Sequence, residues 1–65
     1  MNLRKLKGKI VEADMTQEDL AKKLGISVQA LNAKLNKRST FTIIEVSKMI
    51  DILNIENPNA IFFGQ

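Results

Sequence analysis

Thr16-Gln17-Glu18-Asp19-Leu20-Ala21-Lys22-Lys23-Leu24-Gly25-Ile26-Ser27-Val28-Gln29-Ala30-Leu31 spells a helix, a tight turn and the opening of a second helix. Thr16 and Asp19 have the spacing of a capping box. The threonine oxygen accepts an otherwise unpaired N–H, and the acid three residues on reaches back to the cap. Gly25 follows Leu24, the last apolar residue of the first helix, where a left-handed residue is needed to end it. Ser27 then caps the next helix. Met15 and Leu20 bracket the first cap as a hydrophobic staple, and Ile26 and Leu31 bracket the second. The small Ala21 on the inner face lets the two helices cross closely. This is the pattern of a helix-turn-helix.

The same grammar extends in both directions. Upstream, Leu3, Leu6, Ile10 and Ala13 recur at spacings of three and four, which predicts an amphipathic helix over roughly residues 2–13. Gly8 weakens it by ~1 kcal/mol relative to alanine. The first helix of the central pair spans about Gln17 to Leu24, and the second about Val28 to Asn36. Lys37-Arg38-Ser39-Thr40 is a polar connection. Thr42 and Glu45 form a second capping box, with Phe41 and Val46 as its staple, and Val46, Met49, Ile50 and Leu53 carry a helix to about Asn54. Pro58 suits the first position of a last short helix, with Asn57 as its cap and Gly64 beyond its end. No stretch alternates like a strand. These signals agree on an all-α, five-helix bundle forming one domain over residues 1–65.

Composition excludes several classes of function. The 65 residues contain no cysteine and no histidine. There is thus no disulfide, no thiolate or imidazole metal site and no histidine base. A glycine-rich phosphate loop and a paired-carboxylate site are also missing, so the chain does not read as an enzyme. Glu18 and Asp19 are explained by the positive end of their helix. No cofactor is expected. The longest apolar run, Ala60-Ile61-Phe62-Phe63, is far below the ~20 residues of a membrane span, and Glu12 and Asp14 break any signal-peptide core. A cytoplasmic protein is expected.

The net charge of +3 hides a strong partition. Residues 1–11 carry +4, residues 12–21 carry −4, residues 22–38 carry +5 and residues 39–65 carry −2. Two readings stand: a positive side that attracts a polyanion, or lysines scattered on a solvated surface. On a helix wheel, Leu31 and Leu35 set the inner face of the second central helix. Gln29, Asn32, Ala33 and Asn36 then point outward. Gln29 has the amide chemistry to bond adenine N6 and N7 together, and Asn32 can do the same or reach a phosphate. Ala33 offers a methyl for a thymine methyl. Val28 falls at the edge of the inner face, so either groove contact or packing fits it. Lys34, Lys37 and Arg38 are either a solvated rim or a set of which two meet phosphates.

Thr16-Gln17-x-x-Leu20-Ala21-x-x-Leu24-Gly25-Ile26-Ser27, then Leu31, then the Glu45…Leu53-Asn54-Ile55 block, resemble the phage repressor and Cro-type helix-turn-helix family over residues 3–63. The resemblance implies a lambda-repressor-like bundle and a sequence-specific regulator of transcription that binds double-stranded operator DNA. It implies that the recognition helix reads bases through Val28, Gln29, Asn32 and Ala33. It implies that Gln17 donates to a phosphate from its helix N-terminus, and that Ser27, Asn36, Lys37 and Arg38 meet the backbone. Many members pair an Arg late in the first helix with a Glu late in the third. Here Ile10 and Leu35 stand in those places, so an apolar contact between them is expected in place of an ion pair. Longer members append a dimerisation or cleavage domain, and this chain is expected to lack one.

One recognition helix is too little for tight specific binding. A homodimer on two half-sites about 34 Å apart is therefore expected. Ile61, Phe62 and Phe63 are the apolar candidates for its contact, with one phenylalanine expected inside the bundle and one near the surface. The alternative is a protein-interaction module on the same fold (antirepressor, co-repressor or antitoxin) that binds a partner regulator.

Overall fold

A computed structural model describes residues 1–63. Gly64, expected beyond the last helix, lies outside the described residues. Five helices follow one another: α1 Leu3–Glu12, α2 Gln17–Leu24, α3 Val28–Leu35, α4 Ile43–Ile52 and α5 Pro58–Phe62. No strand occurs among the described residues.

The helix starts follow the sequence chemistry. The Thr16 hydroxyl accepts from the Asp19 N–H at 3.1 Å, and the Thr16 N–H donates to the Asp19 carboxylate at 3.0 Å. Thr42 and Glu45 repeat the box at 3.1 and 2.9 Å. Ser27 Oγ accepts from the Ala30 N–H at 3.0 Å. Asn2, which no sequence signal singled out, caps α1 by accepting from the Lys5 N–H. Asn57 departs from expectation. It precedes Pro58, but its side chain makes no capping bond, and its carbonyl accepts from the Ala60 N–H instead.

The helix ends share one device. Asp14, Gly25, Lys37 and Asn54 all have positive φ, at 58°, 76°, 65° and 52°. At each, the next residue's N–H reaches back five positions. These bonds run from Met15 to the Ile10 carbonyl, Ile26 to Ala21, Arg38 to Ala33 and Ile55 to Ile50. This is the Schellman closure, which satisfies carbonyls the helix leaves unpaired. It explains why α4 stops at Ile52 and not near Asn54, and why α3 stops at Leu35 with Asn36 at its cap.

The core gathers Leu6, Ile10, Leu20, Ala21, Leu24, Leu31, Leu35, Met49, Leu53, Ile55, Ile61 and Phe62. Met15, Ile26, Phe41 and Val46, the staple residues, pack half-buried against it. α2 packs on α3 and α4, and α1 packs on α5. The Asn2 N–H donates to the Ile61 carbonyl at 2.6 Å, tying α1 to α5. Ile10 and Leu35 are 5% and 2% exposed and belong to one apolar core, as expected of an apolar pair there. Among the described residues, no helix is long and apolar enough to cross a membrane.

Candidate nucleic-acid interface

Because Leu31 and Leu35 are buried, α3 turns its opposite side to solvent. Val28, Gln29, Asn32 and Ala33 line one shallow open depression there, and Arg38 closes its edge. Gln29 and Asn32 are exposed, Ala33 is half-buried, and Val28 is 37% exposed at the rim. Four side chains of the α3 outer face and one cation from the following turn therefore share a single surface.

Arg38 owes its place to the end of α3. At the other three helix ends, the residue after the left-handed one is Met15, Ile26 or Ile55, and each packs on or within the core. At α3 that position holds Arg38, whose N–H bonds the Ala33 carbonyl at 2.8 Å. The backbone device that elsewhere seats an apolar anchor here fixes a cation beside the outward face.

Lys37 goes elsewhere. It lines a neighbouring depression with Met1, Leu3, Lys34, Ser39, Thr40 and Phe41. Gln17 is exposed at the first residue of α2, and Ser27 is exposed with its Oγ accepting the Ala30 N–H. Neither lines the α3 depression. Asn36 does not line it either. Its Nδ2 donates to the Asn32 carbonyl at 3.0 Å and to the Asn32 Oδ1.

Lys34 is no solvated rim residue. Its ammonium donates to Glu45 Oε1 at 2.6 Å, with side chains only 12% and 11% exposed. The same oxygen accepts the Thr42 N–H of the capping box. The Lys34 ammonium also lies 5.8 Å from the centre of the Phe41 ring. Burial alone would raise the Glu45 carboxyl, but the bonds from Lys34 and Thr42 outweigh it and hold it below its ordinary range. Lys34 and Glu45 lie eleven residues apart, on different helices. Periodicity gives no sign of such a pair. Only Glu45's inward position at the start of a helix hinted that it needed a partner.

The electrostatics are one-sided. No acidic residue occurs between Asp19 and Glu45. With Lys34 paired to Glu45, the cations of that stretch without an ion-pair partner among the described residues are Lys22, Lys23, Lys37 and Arg38.

The apolar C-terminal candidates divide. Ile61 is 3% and Phe62 7% exposed, so both are core residues and neither offers a docking surface. Phe63 is 59% exposed and meets the Phe62 ring edge-on at 6.5 Å between centroids. More prominent are Ile43 and Ile44 on the first turn of α4, 88% and 68% exposed. The capping box and the Phe41–Val46 staple fix the rotation of α4 so that these two point away from the core.

Fold and site together define a small five-helix protein that presents one polar, cation-edged helix after a tight turn. The chain belongs to the family described as protein of unknown function DUF739, whose model matches residues 1–64. Neither a curated protein nor a solved structure matches it.

Proposed function

We propose that the chain is a sequence-specific regulator that binds double-stranded DNA by placing α3 in the major groove. The kind in view is the phage repressor or Cro type, acting as a homodimer that occupies its operator. The single observation that carries this reading is the α3 depression. Gln29 and Asn32 supply amide chemistry, Val28 and Ala33 supply apolar contact, and Arg38 stands at the edge to meet a phosphate. The acid-free stretch from residue 20 to 44 supports it, because no carboxylate there opposes a polyanion.

A titration against salt with a selected duplex and a random one tests the proposal. A reader of DNA shows log–log slopes of several ions and a gap of at least ~10³ between the two duplexes. Failure to bind any duplex at low salt overturns it. The roles divide further under mutation. Gln29→Ala changes sequence preference, whereas Arg38→Ala weakens all sequences alike and flattens the slope by about one ion. Equal losses on every sequence from both substitutions would refute that division.

The exposed Ile43 and Ile44 favour a second reading, a module that docks on a partner regulator. Binding to a partner in pull-down with no affinity for DNA is its signature.

A further inference from the structure

The first turn of α4 carries Ile43 and Ile44, both exposed. Just before them in the chain, Ser39, Thr40 and Phe41 line an open hollow of about 340 Å³, with Met1 and Leu3 as its other apolar wall. Thr42 alone separates the hollow from the two isoleucines, and two residues of chain span at most ~7 Å. An apolar knob therefore stands beside an apolar-walled hollow on one surface.

The hollow suits an aliphatic side chain. Leu3 and Phe41 are half-buried against the core, which holds their exposed parts in place. Lys34, a cation in the wall, is already bonded to Glu45 at 2.6 Å, so an incoming apolar group strands no charge there. Lys37 is exposed at the rim and keeps its ammonium in water. The capping box uses the N–H groups of Thr42 and Glu45 within the chain. The turn therefore presents its isoleucines without needing a polar partner for those two groups.

A knob and a hollow on one patch make that patch self-complementary. About a two-fold axis, if residue i of one copy meets residue j of the other, j meets i in return. An unrelated protein would have to bring both a matching knob and a matching hollow. A second copy of the chain already has the two at the same spacing.

We infer that the occupant of this surface is a second copy of the chain: about a two-fold axis beside Thr42, each protomer seats Ile43 and Ile44 in the other's hollow, against Met1, Leu3 and Phe41. The inference deepens the homodimer of the DNA-binding reading above and rests on it for the dimer's use on half-sites. The residues involved are far fewer than the ~20–30 a side of a standard interface. The dimer is accordingly a weak one, which two adjoining half-sites would complete.

Dilution of the full chain from ~1 mM, the weak end of association, followed by NMR and sedimentation, tests it. The amide signals of Leu3 and Phe41 should shift together with those of Ile43 and Ile44, along one binding curve. Ile43→Ser and Ile44→Ser should each raise the dimer dissociation constant about tenfold or more. Val11→Ser, at an exposed valine on α1, should leave it unchanged. Shifts at the isoleucines without shifts in the hollow overturn the inference. So does a chain that stays monomeric while binding a selected duplex, and DNA binding then stands. A monomeric chain that captures a different protein through Ile43 overturns it in favour of the partner-regulator reading. A dimer with the expected shifts that binds no duplex keeps this contact and overturns the DNA-binding reading.

Discussion

Lys34 is the residue whose role changes most between sequence and structure. Its charge groups it with Lys37 and Arg38 as a solvated rim or phosphate contact, yet its ammonium turns inward to Glu45. Removing one member of so buried a pair leaves the other uncompensated. Lys34→Met should destabilise the chain by about 3 kcal/mol, and the double substitution Lys34→Met, Glu45→Gln should recover part of that loss. Urea unfolding of the three variants measures both. Lys37 poses the opposite case. Its positive φ of 65° is strained for a side chain with a Cβ. Lys37→Gly should raise stability by about 1 kcal/mol. If Lys37 meets a phosphate, the same variant binds every duplex more weakly, so stability and affinity separate in one protein.

At the scale of elements, the two described glycines on helices or turns should answer in opposite directions. An added Cβ meets nothing within 4 Å at Gly8 or at Gly25. Packing therefore decides neither. Gly8 lies inside α1, and Gly8→Ala should stabilise by ~0.5–1 kcal/mol. Gly25 has φ of 76°, and Gly25→Ala should destabilise by ~1 kcal/mol. Thermal melts of the pair decide it. The capping boxes set a pH dependence. Asp19 lies below its ordinary 3.8, chiefly through the bond from the Thr16 N–H, and Glu45 lies below its ordinary 4.5 because Lys34 and Thr42 outweigh its burial. A lowered folded value means stability present above the ordinary value and lost as the pH falls through the folded one. Urea midpoints should hold level down to about pH 5 and then fall. Lys34→Met should flatten the Glu45 part of that fall, whereas Thr16→Ala keeps the main-chain N–H and should leave most of the Asp19 part.

Across the whole molecule, the parts legible in the sequence are those written in local chemistry. Caps, staples and Gly25 act within four or five residues, and they placed α2, α3 and α4 to within two residues. The outward face of α3 was legible because two leucines fix the rotation of an eight-residue helix. Three features escaped. Of the left-handed turns at Asp14, Lys37 and Asn54, the first and last use residue types that tolerate positive φ but are also common in caps and loops, and Lys37 uses one that does not announce it. The Lys34–Glu45 bond depends on how α3 meets α4. Which of the two phenylalanines goes inside depends on α5 docking against α1. The last two are settled by tertiary contact, which periodicity does not encode. Phe62 inside and Phe63 exposed match the expected split of one phenylalanine within the bundle and one near the surface. The bundle absorbs Ile61 and Phe62, while Ile43 and Ile44 stand out on α4.

The turns Asp14-Met15-Thr16 and Gly25-Ile26-Ser27 are built alike, a left-handed residue, an apolar one and a cap. In each, the middle residue closes the helix behind it and staples the helix ahead. The spacing of the first three helices is thus counted out in the chain, and a single residue added or removed in either turn forfeits both functions at once. The segment between Lys37 and Thr42 has no such double duty. Length variation, whether by engineering or by natural drift, has room there and none in the two turns that set the pitch of α2 and α3.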